Sequence, residues 1–448
     1  MTDKINADHV FYRNPRKFYP TAERGKGIYI YDSEGKEYID GSSGAVVVNI
    51  GHGVKEIQEA MIEQAELISF CHGSQFTTDK AVELADKICA LAPPGMERVY
   101  YNSGGSEAVE TAIKMARQYQ VDRGVPSKFK VISRWTSYHG NTLGALALGG
   151  HTGRRKYYQP MIMHTPHIVP CYCYRCPFDL KPDTCQVECA KDLEKMILLE
   201  GPDSVSAFIA EPVVGATAGA LIPKDVYFQK IREICSKYDV LLIVDEVMTA
   251  IGRTGKNFAM MHWDVNPDMI IAGKGLGSGY TPINTVITTK RVHSTIKEGN
   301  GAFVHGHTYS QNPCSCAIAS AVLDYVRDND LVNRSAQMGT YLLEKLKDLS
   351  KHSIVGDVRG LGLFAGVELV KEREGKVPFD AKANINVRIG SRAFQKGLIC
   401  YPGGGGADGI RGDHILLAPP LIITEEEIDR LVGILDESIG EVAKEEGY

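Results

Sequence analysis

A lysine and an aspartate follow apolar runs in a way that could support chemistry on an aldehyde. Lys274 comes directly after the run Asp-Met-Ile-Ile-Ala-Gly and lies between Gly273 and Gly275. A lysine that emerges from such a run is expected to be part-buried, which lowers its pKa and makes the amine a nucleophile toward an aldehyde. An exposed loop lysine is the alternative interpretation.

Asp245 ends the apolar run Val-Leu-Leu-Ile-Val and is predicted to lie at the end of a buried strand. A buried carboxylate needs a partner because an unpaired buried charge is costly. A protonated pyridine nitrogen is one such partner, and the ion pair would keep the ring cationic so that it acts as an electron sink. Two alternatives are that Asp245 caps the following segment or pairs with Arg253.

Two further segments have the residues of a phosphate turn and of a flat aromatic cover. Gly104, Gly105 and Ser106 lie between a predicted strand and a predicted helix, whose free amides would suit a phosphate. Tyr138 follows another predicted strand and could cover a flat cofactor. An ordinary turn and a core tyrosine are the alternatives. Ligands of open α/β sheets bind beyond the carboxyl ends of the strands, so the four segments together predict one site.

The middle of the chain is expected to form the sheet that positions these residues. From Arg98 to Thr289, apolar β-branched runs alternate with helical segments such as Glu107–Tyr119. This alternation predicts an α/β sheet, mostly parallel and covered on both faces.

The two ends of the chain are predicted to form a smaller lobe. Residues Gly27–Asp40 have the alternation of a β-hairpin, and a final helix begins with a capping box of Thr424 and Glu427. An amphipathic helix beyond about Ser320 and the strand-like run Gly-Leu-Gly-Leu-Phe-Ala-Gly-Val-Glu-Leu-Val lie between them. We expect an N-terminal segment of residues 1–70, a large domain of residues 71–320 and a C-terminal small domain of residues 321–448.

Composition favours a cytoplasmic enzyme of small molecules. The 448 residues have a net charge of −5, with no basic patch for nucleic acid, no signal peptide and no membrane span. The 11 cysteines are an odd number, which favours a reducing compartment over a disulfide framework. Five of them, Cys171, Cys173, Cys176, Cys185 and Cys189, are close in sequence. They could bind zinc or iron, but we interpret them as an irregular loop and assign no metal.

Seven segments, in this order, resemble the class III aminotransferases, which are fold type I enzymes of pyridoxal 5′-phosphate (PLP). They are SGGSEAVETAIKMARQY, SYHGNT, AEPVVG, IVDEVMTAIGRTG, AGKGLGSGYTPI, HGHTYSQNP and LLAPPLIIT. The resemblance implies a large PLP-binding domain with a central, mostly parallel sheet of seven strands, and a small α/β domain. It also implies a homodimer with shared active sites.

Roles for individual residues come with this resemblance. It implies that Lys274 holds PLP as a Schiff base and later shuttles a proton, and that Asp245 pairs with the pyridinium nitrogen. The other implied cofactor contacts are Gly105 and Ser106 at the phosphate, Tyr138 and Val247 on the two ring faces, Glu211 near the ring and Thr308 from the neighbouring subunit.

The chain departs from the family pattern near the substrate. Met248 stands where many relatives have glutamine, and Ala45 and Val46 replace a Leu-Trp pair, which implies a roomier pocket near Val46. The arginine that many relatives place three residues before Gly412 is absent, and Arg411 is the nearest candidate for a substrate carboxylate. The basic run Arg154–Lys156 would attract a phosphorylated or CoA-linked substrate, or is a solvated face.

The activity implied is transfer of an amino group, in two half-reactions, from an ω-amine or a β-amino compound to a keto acid such as pyruvate or 2-oxoglutarate. A β-aminoacyl thioester is among the donors considered. The alternatives are a PLP-dependent aminomutase or racemase on the same scaffold, and a catalytically silent phosphate-binding protein of the α/β class.

Overall fold

Strands and helices alternate along residues 9–448, which are the residues that this computed structural model describes. The strands are β1 (Ala22–Lys26), β2 (Tyr29–Asp32), β3 (Glu37–Asp40), β4 (Met96–Asn102), β5 (Lys130–Arg134), β6 (His167–Ile168), β7 (Val205–Ala210), β8 (Leu241–Glu246), β9 (Met269–Ala272), β10 (Asn284–Thr289), β11 (Val355–Gly360), β12 (Ala365–Leu369), β13 (Leu398–Ile399), β14 (Tyr401–Gly403) and β15 (Asp413–Leu417). The helices are α1 (Ser43–Val46), α2 (Lys55–Leu67), α3 (Asp79–Leu91), α4 (Gly105–Asp122), α5 (Leu143–Leu148), α6 (Thr152–Arg155), α7 (Glu188–Glu200), α8 (Tyr227–Lys237), α9 (Lys290–Glu298), α10 (Pro313–Asp328), α11 (Leu331–Lys347), α12 (Ile385–Gln395) and α13 (Glu425–Glu445).

The central sheet has seven strands in the order β4-β10-β9-β8-β7-β5-β6. Neighbours from β9 through β6 run parallel, whereas β10 is antiparallel to both β4 and β9. The predicted α/β class with a mostly parallel sheet is confirmed. Strand β6 was not expected, because two residues are too few to show a period.

The middle strands are buried on both faces, which explains their continuous apolar sequences. Because side chains alternate along a strand, Phe208 and Leu242 pack in one core cluster, with residues of α7 and α8. Ile209 and Ile243 pack in another, with residues of α4. The sheet is therefore held rigidly between two helical layers.

Helix α4 includes the helical segment predicted at Glu107–Tyr119. Val109, Ala112 and Ala116 are buried on its sheet-facing side, and Ile113 is half-buried against the same cluster. This packing fixes the start of α4 beside the end of β4.

The N-terminal hairpin and the C-terminal part of the chain share a sheet. Strands β2 and β3 pair antiparallel as expected, and β13 adds to β3 in parallel. A further sheet has the order β11-β12-β15-β14. The domain boundaries at residues 70 and 320 stay a prediction, and residues 1–8 of the first segment lie outside those described.

Parallel pairing places the carboxyl ends of β5, β7, β8 and β9 at one edge of the central sheet. The segments that follow these strands contain the residues singled out from the sequence. None of the helices found within residues 9–448 has the length and apolar character needed to cross a membrane.

The capping box of α13 offers a test of how the small lobe is anchored. The Thr424 hydroxyl accepts a hydrogen bond from the Glu427 amide, and the Glu427 carboxylate accepts one from the Thr424 amide. We expect Thr424→Ala to lower the free energy of unfolding by about 0.5–2 kcal/mol, measured by urea denaturation, because a helix amide loses its acceptor.

The matched control is Ser391→Ala, which removes an exposed hydroxyl that bonds only to the Val387 carbonyl within α12. It should leave stability nearly unchanged. Equal losses in the two variants would contradict an anchoring role of the capping box.

Candidate active site

A cavity of about 310 Å³ opens at the carboxyl edge of the central sheet. This volume lies at the lower end of the range for small-molecule sites, roughly 300–1,000 Å³. Its lining includes seven residues predicted from the sequence, namely Gly105, Ser106, Tyr138, Glu211, Asp245, Val247 and Lys274. The structure thus brings together residues from four separate strand ends.

Asp245 is a buried carboxylate without a cationic lysine or arginine partner. Its side chain is only 6% exposed, and Oδ2 lies 2.8 Å from Nδ1 of His139. Oδ1 accepts a hydrogen bond from the Val247 amide at 3.1 Å. A carboxylate has about four acceptor positions, so Asp245 retains capacity for a further donor in the cavity.

The alternative partner considered for Asp245, Arg253, is a wrong assignment. Arg253 is fully buried elsewhere, where its guanidinium donates to the carbonyls of Leu363 and Pro419 and to the Asn49 side chain. These neutral acceptors satisfy it, and burial lowers the pKa of Arg253 to about 9.

Lys274 faces Asp245 across the cavity from the end of β9. Burial lowers the pKa of Lys274 to about 8, against the opposing effects of the Asp245 and Glu211 charges, and Arg154 lowers it further. Its backbone has a φ of 45°, a left-handed conformation that is unusual for a residue with a side chain. The amine is therefore held as a nucleophile that is largely uncharged above about pH 8.

The glycines on either side of Lys274 are required by close packing. A Cβ atom at Gly273 would lie 1.6 Å from Oδ1 of Asn284, and one at Gly275 would lie 2.3 Å from Nδ2 of Asn49. No larger residue fits without moving these side chains.

Glu211 follows β7 and fixes the segment that contains Tyr138. Its carboxylate accepts hydrogen bonds from the Tyr138 amide at 3.0 Å and from the Gly215 amide at 3.1 Å. Burial raises the pKa of Glu211. Glu211 thereby holds the Tyr138 backbone at the cavity wall.

The start of α4 forms the other end of the cavity. The Glu107 carboxylate accepts from the amides of Ser103 and Gly104, and the Ser106 hydroxyl accepts from the Asn141 amide at 2.9 Å. Amides in the first helical turn have no acceptor within the helix, and the helix dipole favours an anion there.

Three predicted residues lie away from this cavity lining. Val46 is 1% exposed and packs in the hydrophobic core, while its neighbour Val47 lines the cavity instead. Arg411 is tied to Asp408 in its own loop, with Nε 2.7 Å from Oδ2. Thr308 is exposed on the loop before α10.

Sequence reasoning gave no role to two buried residues of the site. His139 bonds to Asp245, and its Nε2 is buried with no hydrogen-bond partner among the described residues. Asn284 begins β10 and donates to the Ser103 carbonyl at 3.0 Å, and its Oδ1 is similarly unpartnered. Adjacency to Tyr138 was the available signal for His139, whereas Asn284 had none.

The five clustered cysteines lie together around a different, smaller cavity and are free thiols. Burial raises the pKa of Cys173 and of Cys189. Within residues 9–448 no group of three or more His, Cys, Asp or Glu side chains is arranged to hold a metal ion.

The donor set of the larger cavity fits PLP. A nucleophilic amine at Lys274 suits an aldehyde, the buried carboxylate of Asp245 suits a protonated ring nitrogen, and the start of α4 suits a phosphate. The three groups line one cavity of matching chemistry.

Comparison with known proteins shows the family. Residues 11–439 match the model of the family described as aminotransferase class-III, so the chain belongs to the class III aminotransferases, which are PLP-dependent enzymes of fold type I.

Individual relatives cover nearly the whole chain. The chain is 41% identical over 427 residues to the uncharacterized aminotransferase YodT of Bacillus subtilis (strain 168), covering 95% of this chain and 96% of that protein. It is 36% identical over 422 residues to the putrescine–pyruvate aminotransferase of Pseudomonas aeruginosa (strain PAO1), covering 94% and 90%. An (S)-enantioselective omega-transaminase from Thermomicrobium roseum superposes with a TM-score of 0.91 at 34% identity, covering 97% and 96% of the two chains.

The lowered pKa of Lys274 predicts how the enzyme stripped of its cofactor reacts with an aldehyde. The ammonium form cannot attack, so the rate of reaction with pyridoxal, which lacks the phosphate, should rise with pH and level off above a midpoint near 8. Absorbance of the product measures the rate. In Asp245→Asn the midpoint should fall, because the carboxylate that raises the lysine pKa is gone. A midpoint near the ordinary lysine value of 10.5 would contradict the buried environment.

Proposed function

We propose that this enzyme moves an amino group from an ω-amine or a β-amino compound to a keto acid such as pyruvate or 2-oxoglutarate. The transfer takes place in two half-reactions of the ping-pong type, in which the cofactor carries the amino group between donor and acceptor. Membership of the class III aminotransferases supports amino transfer, and the donor and acceptor are our own inference.

The observation that carries the proposal is the placement of Lys274 and Asp245 in one cavity. Asp245 stands at the end of β8 and Lys274 just beyond β9, two strands that pair in parallel. Bound PLP supplies an aldehyde carbon and an electron-withdrawing ring that stabilises negative charge on the substrate carbon. The protein must hold that ring protonated and deliver a base to the same carbon.

Each side chain has a separate task in this scheme. The Asp245 carboxylate, oriented by His139 and by the Val247 amide, accepts the hydrogen bond of the protonated ring nitrogen. The Lys274 amine, released when a substrate amine takes its place, moves a proton between substrate carbon and cofactor carbon. With its pKa lowered to about 8, it can both accept and return that proton near neutral pH.

The remaining lining residues position the reactants. Tyr138, held by Glu211, would cover one face of the ring, and Val247 would pack on the other. Met248 lines the cavity where a polar side chain would have met the ring hydroxyl. With Val47 it gives the cavity an apolar wall suited to a substrate with an aliphatic chain.

We also propose a homodimer in the cytoplasm. The exposure of Thr308 is compatible with its reaching the phosphate bound by a second copy of the chain. This arrangement would complete each active site with a residue of the partner.

The visible absorption band of the bound cofactor tests the proposal. Alanine, β-alanine, 4-aminobutyrate, 3-aminobutyryl-CoA and 1-phenylethylamine are added singly to the purified holoenzyme. We expect at least one donor to bleach the band and pyruvate or 2-oxoglutarate to restore it. The Lys274→Ala variant should show no such cycle, because the base that moves the proton is missing.

The other results are equally informative. A band that no donor bleaches would contradict amino transfer from this donor class and favour an isomerase. A donor that bleaches the band in Lys274→Ala as fast as in the native enzyme would contradict the role of the lysine.

A further inference from the structure

An arginine outside the catalytic set lies against the wall of the active-site cavity. The guanidinium of Arg154, in α6, stands over the ring of Tyr138, 4.4 Å from the ring centroid. Tyr138 itself lines the cavity together with Lys274. The charge of Arg154 reaches the reaction centre, because it contributes to the lowered pKa of Lys274.

The basic run Arg154–Lys156 does not act as one charged surface. Arg155 is buried, where its guanidinium donates to the Gly149 carbonyl at 3.0 Å and lies over the Trp135 ring. Lys156 is exposed. The expectation of a basic cluster for a phosphorylated or CoA-linked substrate is therefore wrong, and Arg154 is the member that adjoins the cavity.

Arg154 has no acidic partner in the part of the chain that the structure describes. No carboxylate lies within ion-pair distance of its guanidinium between residues 9 and 448, although the side chain is half-buried. Its known contact is the aromatic face of Tyr138, which leaves the N–H donors at the guanidinium edge available. A half-buried guanidinium with free edge donors is suited to a carboxylate.

The competing arginine is already neutralised. Arg411 forms an ion pair with Asp408, and its amide donates to the same carboxylate at 2.6 Å. The loop that contains both residues packs beside α6, where Nε2 of His151 lies 3.1 Å from the Gly404 carbonyl oxygen. Of these two neighbouring arginines, Arg154 is the one that lacks an internal acid.

We propose that Arg154 is the residue that selects substrates with a carboxylate, by binding that group while the reacting carbon lies at Lys274. This inference rests on the proposed amino transfer and narrows its substrates to amino acids and keto acids over simple amines. Arg154 takes the place that sequence comparison had suggested for Arg411. Its contact with Tyr138 would link carboxylate binding to the side chain that covers the ring.

A matched pair of donors isolates the carboxylate. 4-Aminobutyrate and butylamine share the same chain and amine and differ in the acid group, so bleaching of the cofactor band by each is followed at increasing concentration. In Arg154→Gln we expect KM for 4-aminobutyrate to rise about 10- to 100-fold, the loss of one charge-assisted contact, with kcat little changed. Butylamine should react as in the native enzyme, and Arg154→Lys should recover part of the loss.

A binding measurement keeps this test independent of turnover. Glutarate, a dicarboxylate that has no amine to react, is titrated calorimetrically into the holoenzyme, and its Kd should rise about 10- to 100-fold in Arg154→Gln. Lys156→Gln, at the exposed neighbouring position, should bind glutarate normally. If no donor bleaches the native enzyme, the proposed function fails, whereas the glutarate affinities still decide the role of Arg154.

Two results would overturn the assignment. One is a loss of glutarate affinity in Arg411→Gln but not in Arg154→Gln, which would move the carboxylate site to Arg411. The other is an equal fall in reactivity toward 4-aminobutyrate and butylamine in Arg154→Gln, which would mean that Arg154 only supports the ring of Tyr138.

Discussion

The burial of one carboxylate at the centre of the sheet constrains the whole site. Asp245 is almost fully enclosed at the end of β8, and no lysine or arginine pairs with it among the described residues. A buried charge of this kind is tolerated only with good hydrogen-bond partners. His139 and the Val247 amide meet part of this need, and a cationic ring nitrogen would complete it. The same charge opposes the effect of burial on Lys274 and so sets how readily that amine loses its proton.

The topology of the sheet explains why these groups meet. Strands β5, β7, β8 and β9 are parallel neighbours, so Tyr138, Glu211, Asp245 and Lys274 emerge at one edge although they are far apart in sequence. The two helical layers make that edge rigid. Catalysis by PLP enzymes depends on holding the reacting groups in fixed positions around the cofactor, and this scaffold provides them before any ligand binds.

Sequence patterns predicted the parts of the molecule that repeat with a regular period or follow a family motif. The buried strands, helix α4, the hairpin and the seven cavity residues were all found in this way. Contacts between distant segments could not be read from spacing, so the bond between His139 and Asp245 and the buried place of Arg253 emerged only from the fold. A similar limit applies to Val46 and Arg411, because a loop's backbone angles and its internal ion pair decide which side chain faces the cavity.

The central claim, that Lys274 carries the cofactor opposite Asp245, is tested most directly by trapping the link covalently. The holoenzyme is reduced with borohydride, digested and mapped by mass spectrometry. The account predicts that the pyridoxyl group is found on Lys274. Its presence on another lysine, with Lys274 unmodified, would contradict the assignment of the site.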